Sequence, residues 1–154
     1  MSGDEYDNDE TSDDDSALFE DIEIDAITFL AETTSVRALL LSVEDEELDL
    51  APPWQRGDVW QPNKKKNLIK SLLVGIPLPS LIIFNEKNGT SSVLDGKQRL
   101  TAIQQYIEGG DKKFKLPKYK EDKTLEGFSL KDCGGKYFDE LPLAAKRKIR
   151  QTKI

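Results

Sequence analysis

The run Asp95-Gly96-Lys97-Gln98-Arg99 gathers a carboxylate, a glycine, an ammonium, an amide and a guanidinium into five consecutive positions. Ahead of it lie an apolar, β-branched run, Leu81-Ile82-Ile83-Phe84, a turn signal at Asn88-Gly89, and a second strand-like stretch over 90–94. After it, Leu100, Ile103 and Ile107 recur at i, i+3 and i+7, the spacing of one helix face. Asp95-Gly96 therefore falls where a strand gives way to a helix. A helix start presents backbone N–H groups that the helix itself cannot bond, together with the positive end of its dipole, and phosphate is stabilised there. Arg99, one turn in, is a planar two-pronged donor matched to phosphate oxygens, while Gln98 adds a neutral donor and acceptor and Lys97 a point charge. A plainer reading of the same residues stands beside this one: Asp95 caps the helix, Gly96 relaxes the turn and Arg99 lies on a solvated face.

A second group of planar polar side chains precedes this motif. In the stretch 51–60, Pro52 and Pro53 stiffen the chain, and Trp54 and Trp60 flank Gln55-Arg56. If the tryptophans pack inward, they pin the loop and aim Gln55 and Arg56 at a fixed point. The alternative is that they are core anchors and Arg56 is a surface charge.

The elements that must position these groups are short and mixed in type, which predicts an α/β (α+β) domain. Ser35 can cap a helix over 35–43 with Val36, Leu39, Leu40 and Val43 inward, and 47–50 alternates like a short strand. Pro62 suits a first helical position ahead of Leu68, Ile69, Leu72, Leu73 and Ile76, and Gly75 ends that helix. Pro77 and Pro79 bracket a rigid turn into the strand at 81–84. Residues 111–140 are irregular and lysine-rich, with candidate short strands at Phe114–Leu116 and Phe128–Leu130 and a small apolar cap at Tyr137, Phe138 and Leu141. Pro142 opens a basic helix with Lys146, Arg147, Lys148 and Arg150, and the sequence stops at Ile154 like a domain cut from something longer or like an unusually short form.

Charge divides the 154 residues in two. Residues 1–49 hold 18 Asp/Glu against one Arg, a net of −17, and residues 50–154 hold 21 Lys/Arg against 11 Asp/Glu, a net of +10. We expect residues 1–32 to form an acidic, largely disordered tail and 33–154 to form the domain, which has a surface suited to polyanions such as DNA. Opposite charge predicts that the tail weakens polyanion binding. One cysteine, Cys133, rules out an intramolecular disulfide and fits a reducing cytoplasm. No apolar run reaches transmembrane length, and the acidic N-terminus is unlike a secretory signal. The chain has no histidine, which excludes a Ser-His-Asp triad, a Cys-His pair, a His-ligated zinc and an HNH-type nuclease centre.

Three separated motifs, Trp54-Gln55-Arg56 with Val59-Trp60, Ser71-Leu72-Leu73-Val74-Gly75-Ile76-Pro77-Leu78-Pro79, and Leu94-Asp95-Gly96-Lys97-Gln98-Arg99-Leu100-Thr101, occur in this order. Together they resemble the N-terminal domain of GmrSD-type restriction proteins, related to the ParB/sulfiredoxin fold, from about Ser35 to the C-terminus. The resemblance implies a compact domain with a small mixed sheet flanked by helices. Its Asp-Gly-x-Gln-Arg motif would bind, and in some members hydrolyse, a nucleoside triphosphate (GTP or ATP, with Mg²⁺) in defence against phage with modified DNA. The implied site is Asp95, Gly96, Gln98 and Arg99 with Gln55 and Arg56 facing it, Arg99 and Arg56 neutralising phosphoryl charge and Asp95 holding Mg²⁺ or positioning water. Lys97 stands where many members carry Gln and keeps a donor while adding charge. Family nucleases usually carry a C-terminal HNH-type domain. Without it or any histidine, this chain is not expected to cut DNA alone, which implies a nuclease subunit or a further nuclease domain. The rival expectation is a DNA-binding or regulatory module without turnover, with Lys64–Lys66, Lys112, Lys113 and the 146–150 cluster forming a basic track.

Overall fold

The computed structural model of the chain describes residues 30–51 and 60–154. The acidic stretch up to residue 29 and the loop carrying Trp54, Gln55 and Arg56 lie outside the described residues, so the expectations for them rest on sequence alone.

Residues 33–154 form one compact unit. Helix α1 (Val36–Glu44) starts at Ser35, whose side chain accepts a hydrogen bond from the Ala38 amide at 3.2 Å, as an N-cap hydroxyl does. It leads into a two-residue strand, β1 (Leu48–Asp49). Helix α2 (Pro62–Val74) begins on a proline, where a missing N–H costs nothing. It ends at Gly75, left-handed at φ +80°, with the Gly75 amide bonded to the Leu72 carbonyl and the Ile76 amide to Ser71. Strand β2 (Ile82–Asn85) then runs antiparallel to β3 (Ser91–Asp95), and β3 passes through Gly96 into α3 (Lys97–Ile107). A two-stranded hairpin, β4 (Thr124–Leu125) and β5 (Phe128–Ser129), a single helical turn, α4 (Leu130–Cys133), and α5 (Leu143–Gln151) complete the unit. The mixed content is the α+β architecture that the sequence predicts.

The main sheet has the order β1-β3-β2, with Leu48 and Asp49 parallel to Ser91 and Ser92. Helix α2 packs against α3 and α5, and α1 against α5 and β1. Ile69, Leu72 and Leu73 of α2, Val93 of β3, Leu100, Ile103 and Tyr106 of α3, and Phe138 and Ile149 meet in one core. Ser35 also bridges to Lys153, and Thr34 and Ile154 exchange backbone hydrogen bonds.

Three details depart from the sequence reading. Phe114 to Leu116 is not a strand: the Leu116 amide bonds to the Lys136 carbonyl and its carbonyl accepts from the Gly135 amide, so a turn takes the groups a ladder would use. Phe138 and Leu141 are not a separate cap but part of the core. The apolar strand β2 lies at the sheet edge and stays in solvent, with Phe84 55% exposed, while Val93 beside it is fully buried. All four residues of β2 are exposed, so this edge strand leaves both its faces to solvent.

Candidate functional site

Gly96 makes the strand-to-helix passage possible. Its φ of +91° is a conformation that L side chains rarely adopt, and a Cβ there would lie 2.1 Å from Leu81 Cδ2. Leu81 therefore packs directly over the glycine, and the next residue starts α3. The Leu100 amide bonds back to the Gly96 carbonyl, the first link of the helix. Asp95 does not cap α3, because no side-chain hydrogen bond caps this helix. The physical reason is that Asp95 is spent elsewhere: its Oδ2 accepts from Arg99 Nη2 at 3.1 Å.

Arg99 has more than one such tie. Its Nη1 donates to the Pro79 carbonyl and its Nη2 to the Ser80 carbonyl at 3.2 Å, so one guanidinium gathers the turn before β2, the end of β3 and the start of α3. Its side chain is only 12% exposed, against 67% for Asp95. The plain reading of this arginine as a charge on a solvated face does not hold, since it is largely buried and much of its fork is given to protein oxygens. It fixes the geometry of the junction. Sequence spacing shows the Asp95–Arg99 pair, one helical turn apart, but not the two carbonyls some twenty residues upstream.

The open polar groups lie beside the junction, along α3. A cleft of about 680 Å³ is lined by Leu50 and Ala51 at the exit of β1, by Lys97, Thr101, Gln104, Gln105 and Glu108, and by the Gly109–Lys112 turn. That volume is in the range of small-molecule sites. Gln105 is buried, and its Oε1 accepts from Lys65 Nζ of α2 at 2.9 Å. The structure thus places Lys97 in the cleft lining, while Asp95 and Arg99 pair with each other outside it. Thr101, Gln104 and Glu108 of the cleft lining were missed by a reading that followed the motif along the chain. The signal for them was present: at i+4, i+7 and i+11 from Lys97 they form one stripe of the helix with it.

The expected basic track is gathered only in part. Lys113 pairs with Asp139, Lys146 Nζ donates to the Asp139 carbonyl at 2.7 Å, Lys113 and Lys115 lie over the Tyr137 ring, and Arg150 lies over Phe138. The hydrogen bond from Lys113 holds the Asp139 carboxyl below the usual carboxylate range. Lys64 is elsewhere, over the Trp60 ring at 4.2 Å. Among the described residues no group of three or more His, Cys, Asp or Glu is placed to hold a metal ion, and no helix is long and apolar enough to cross a membrane.

Fold and cleft together define an α+β domain with a cleft along α3, beside a strand–helix junction. The chain belongs to the family of GmrSD restriction endonuclease N-terminal domains, whose family model matches residues 37–153. It is accordingly a component of a restriction system, the class that defends against phage. No curated protein and no solved structure matches it.

Proposed function

We propose that this domain binds, and turns over, a nucleoside triphosphate in the cleft along α3, and that it works with a nuclease domain or subunit acting on DNA. The observation that carries the reading is the opening of the cleft at Lys97, the first residue of α3, where the helix dipole and an ammonium both favour phosphate. Lys97 faces phosphate oxygens, Lys65 holds the buried Gln105 amide of the cleft lining, and Arg99 acts as a positioning residue that keeps Asp95 and the helix start in register. Mg²⁺ usually takes one or two carboxylates and is otherwise held by phosphate oxygens and water, so a single exposed carboxylate, Asp95, fits it. When bound, the ion would neutralise charge on the transferring phosphoryl group. The absence of histidine keeps His-dependent nuclease chemistry with the partner.

Calorimetry of GTP and ATP with Mg²⁺ at low salt tests this. Lys97→Ala is expected to weaken binding by about tenfold or more, the cost of a charged hydrogen-bonding partner. The cationic cluster around Tyr137 and Asp139 favours a second reading, a DNA-binding module without turnover. Salt-sensitive DNA binding with no measurable affinity for either nucleotide would establish that second reading and end the first.

A further inference from the structure

We infer that the cleft selects a guanine nucleotide, with Glu108 as the residue that selects the base. This rests on the nucleotide reading and specifies the end of the ligand that the reading leaves open. Lys97, Thr101, Gln104 and Glu108 all line the cleft. As one stripe of α3 they cover about 16 Å at 1.5 Å per residue, the length of an extended nucleoside triphosphate. Chemistry changes in one direction along that stripe, from an ammonium, through a hydroxyl and an amide, to a carboxylate. At the other end Lys112 and Asp111 also line the cleft and offset each other in charge, whereas charge and dipole together favour phosphates at the Lys97 end, which leaves the base beside Glu108.

The position of Glu108 is not explained by the stability of the helix. It is the C-cap of α3, where the negative end of the dipole disfavours a carboxylate. Among the described residues its carboxylate takes no hydrogen bond and no ion pair, and the Thr101 hydroxyl and Gln104 amide are likewise uncommitted. A carboxylate has two acceptor oxygens side by side and, when ionised, no donor. Its best partner is a pair of adjacent N–H donors. Guanine offers that pair at N1–H and the N2 amino group. Adenine and cytosine place an acceptor nitrogen beside their amino group, and uracil places its single N–H between two carbonyls. Each of these would set an acceptor against the carboxylate.

The test is the ratio of GTP to ATP affinity, measured by calorimetry with Mg²⁺ on the full chain, for the native protein, Glu108→Gln and Glu44→Gln. Glu44 ends α1 outside the cleft lining and controls for the loss of one negative charge. The native protein should prefer GTP by roughly tenfold or more, the scale of one bidentate base contact. Glu108→Gln should bring the ratio close to one, and Glu44→Gln should leave it in place. Equal affinities in the native protein, a preference for ATP, or a preference that survives Glu108→Gln would overturn the inference while leaving nucleotide binding intact. Binding of neither nucleotide would overturn the nucleotide reading and the inference together.

Discussion

On one side of α3, Leu100, Ile103 and Tyr106 are fully buried, and the Tyr106 hydroxyl donates to the Lys136 carbonyl at 3.4 Å. Tyr106 also contacts the Phe114 ring and meets Phe138 edge-on, with ring centroids 5.2 and 5.8 Å away. On the other side, Thr101 and Gln104 line the cleft with no partner for their side chains among the described residues. The core side has its interactions completed by the fold, and the cleft side leaves them for something else. Buried polar groups are normally satisfied because leaving them unpaired is costly, whereas groups at a cleft wall can wait for a ligand at the cost only of their water. Gln105 marks the border: it is buried like the core and hydrogen-bonded to Lys65 at the cleft.

The largest expected effect tests the core side. Tyr106→Ala removes a fully buried ring with two aromatic neighbours and is expected to lower unfolding free energy by about 3–5 kcal/mol. Denaturant titration would measure it, with Gln104→Ala on the cleft side expected to stay within about 0.5 kcal/mol. Similar losses for both variants would break the contrast between the two faces.

Arg99 gives an intermediate effect and sharpens the contrast at the head of the helix. If it holds the junction together, Arg99→Ala should lower stability by about 1.5–3 kcal/mol, because a largely buried fork would leave two carbonyls and a carboxylate without their donor. Arg99→Lys should recover little, since a single ammonium cannot span Pro79, Ser80 and Asp95 as the planar fork does. Unchanged stability together with lost nucleotide affinity would instead make Arg99 a phosphate ligand and move it to the cleft side of the comparison.

The parts of this arrangement that local chemistry dictates were legible in the sequence. Pro62 and Gly75 punctuate α2, Ser35 caps α1, and the spacing of Leu100 and Ile103 marks α3, because each is decided within a few residues. Burial of β2 was not legible. An apolar run shows what a strand can bury, but Ile82, Ile83 and Phe84 all remain exposed, because β2 is an edge strand and no described element covers either of its faces. The role of Arg99 was also hidden, since its partners come from a turn distant in sequence. The motif marks the strand–helix junction and Lys97, which borders the cleft. The cleft then follows the helix face, so reading on residue by residue from Arg99 led away from Thr101, Gln104 and Glu108.

Alkaline pH should act on the core side through groups that burial keeps protonated. Burial pushes the Cys133 thiol up to about 11 from 9.0 and the Tyr119 hydroxyl up to about 12 from 10.0, and it raises Tyr106 further. In the unfolded chain these groups lose protons at their ordinary values, while the folded chain still holds them. Above pH 9 the unfolded state therefore binds fewer protons than the folded one, and stability falls as pH rises. The contribution is fully present below pH 9, and the loss runs from 9 to 11 for Cys133 and from 10 to 12 for Tyr119. Tyr119 allows this to be isolated. Its hydroxyl is buried with no hydrogen-bond partner among the described residues, so Tyr119→Phe removes a titrating group without breaking a bond. At pH 7 the variant should be as stable as the native protein or slightly more so, because an unsatisfied buried hydroxyl is costly. Between pH 10 and 12 its thermal midpoint should fall less steeply than that of the native protein. Parallel decline of the two would mean that alkaline loss comes from the lysine-rich surface rather than from the core beneath α3.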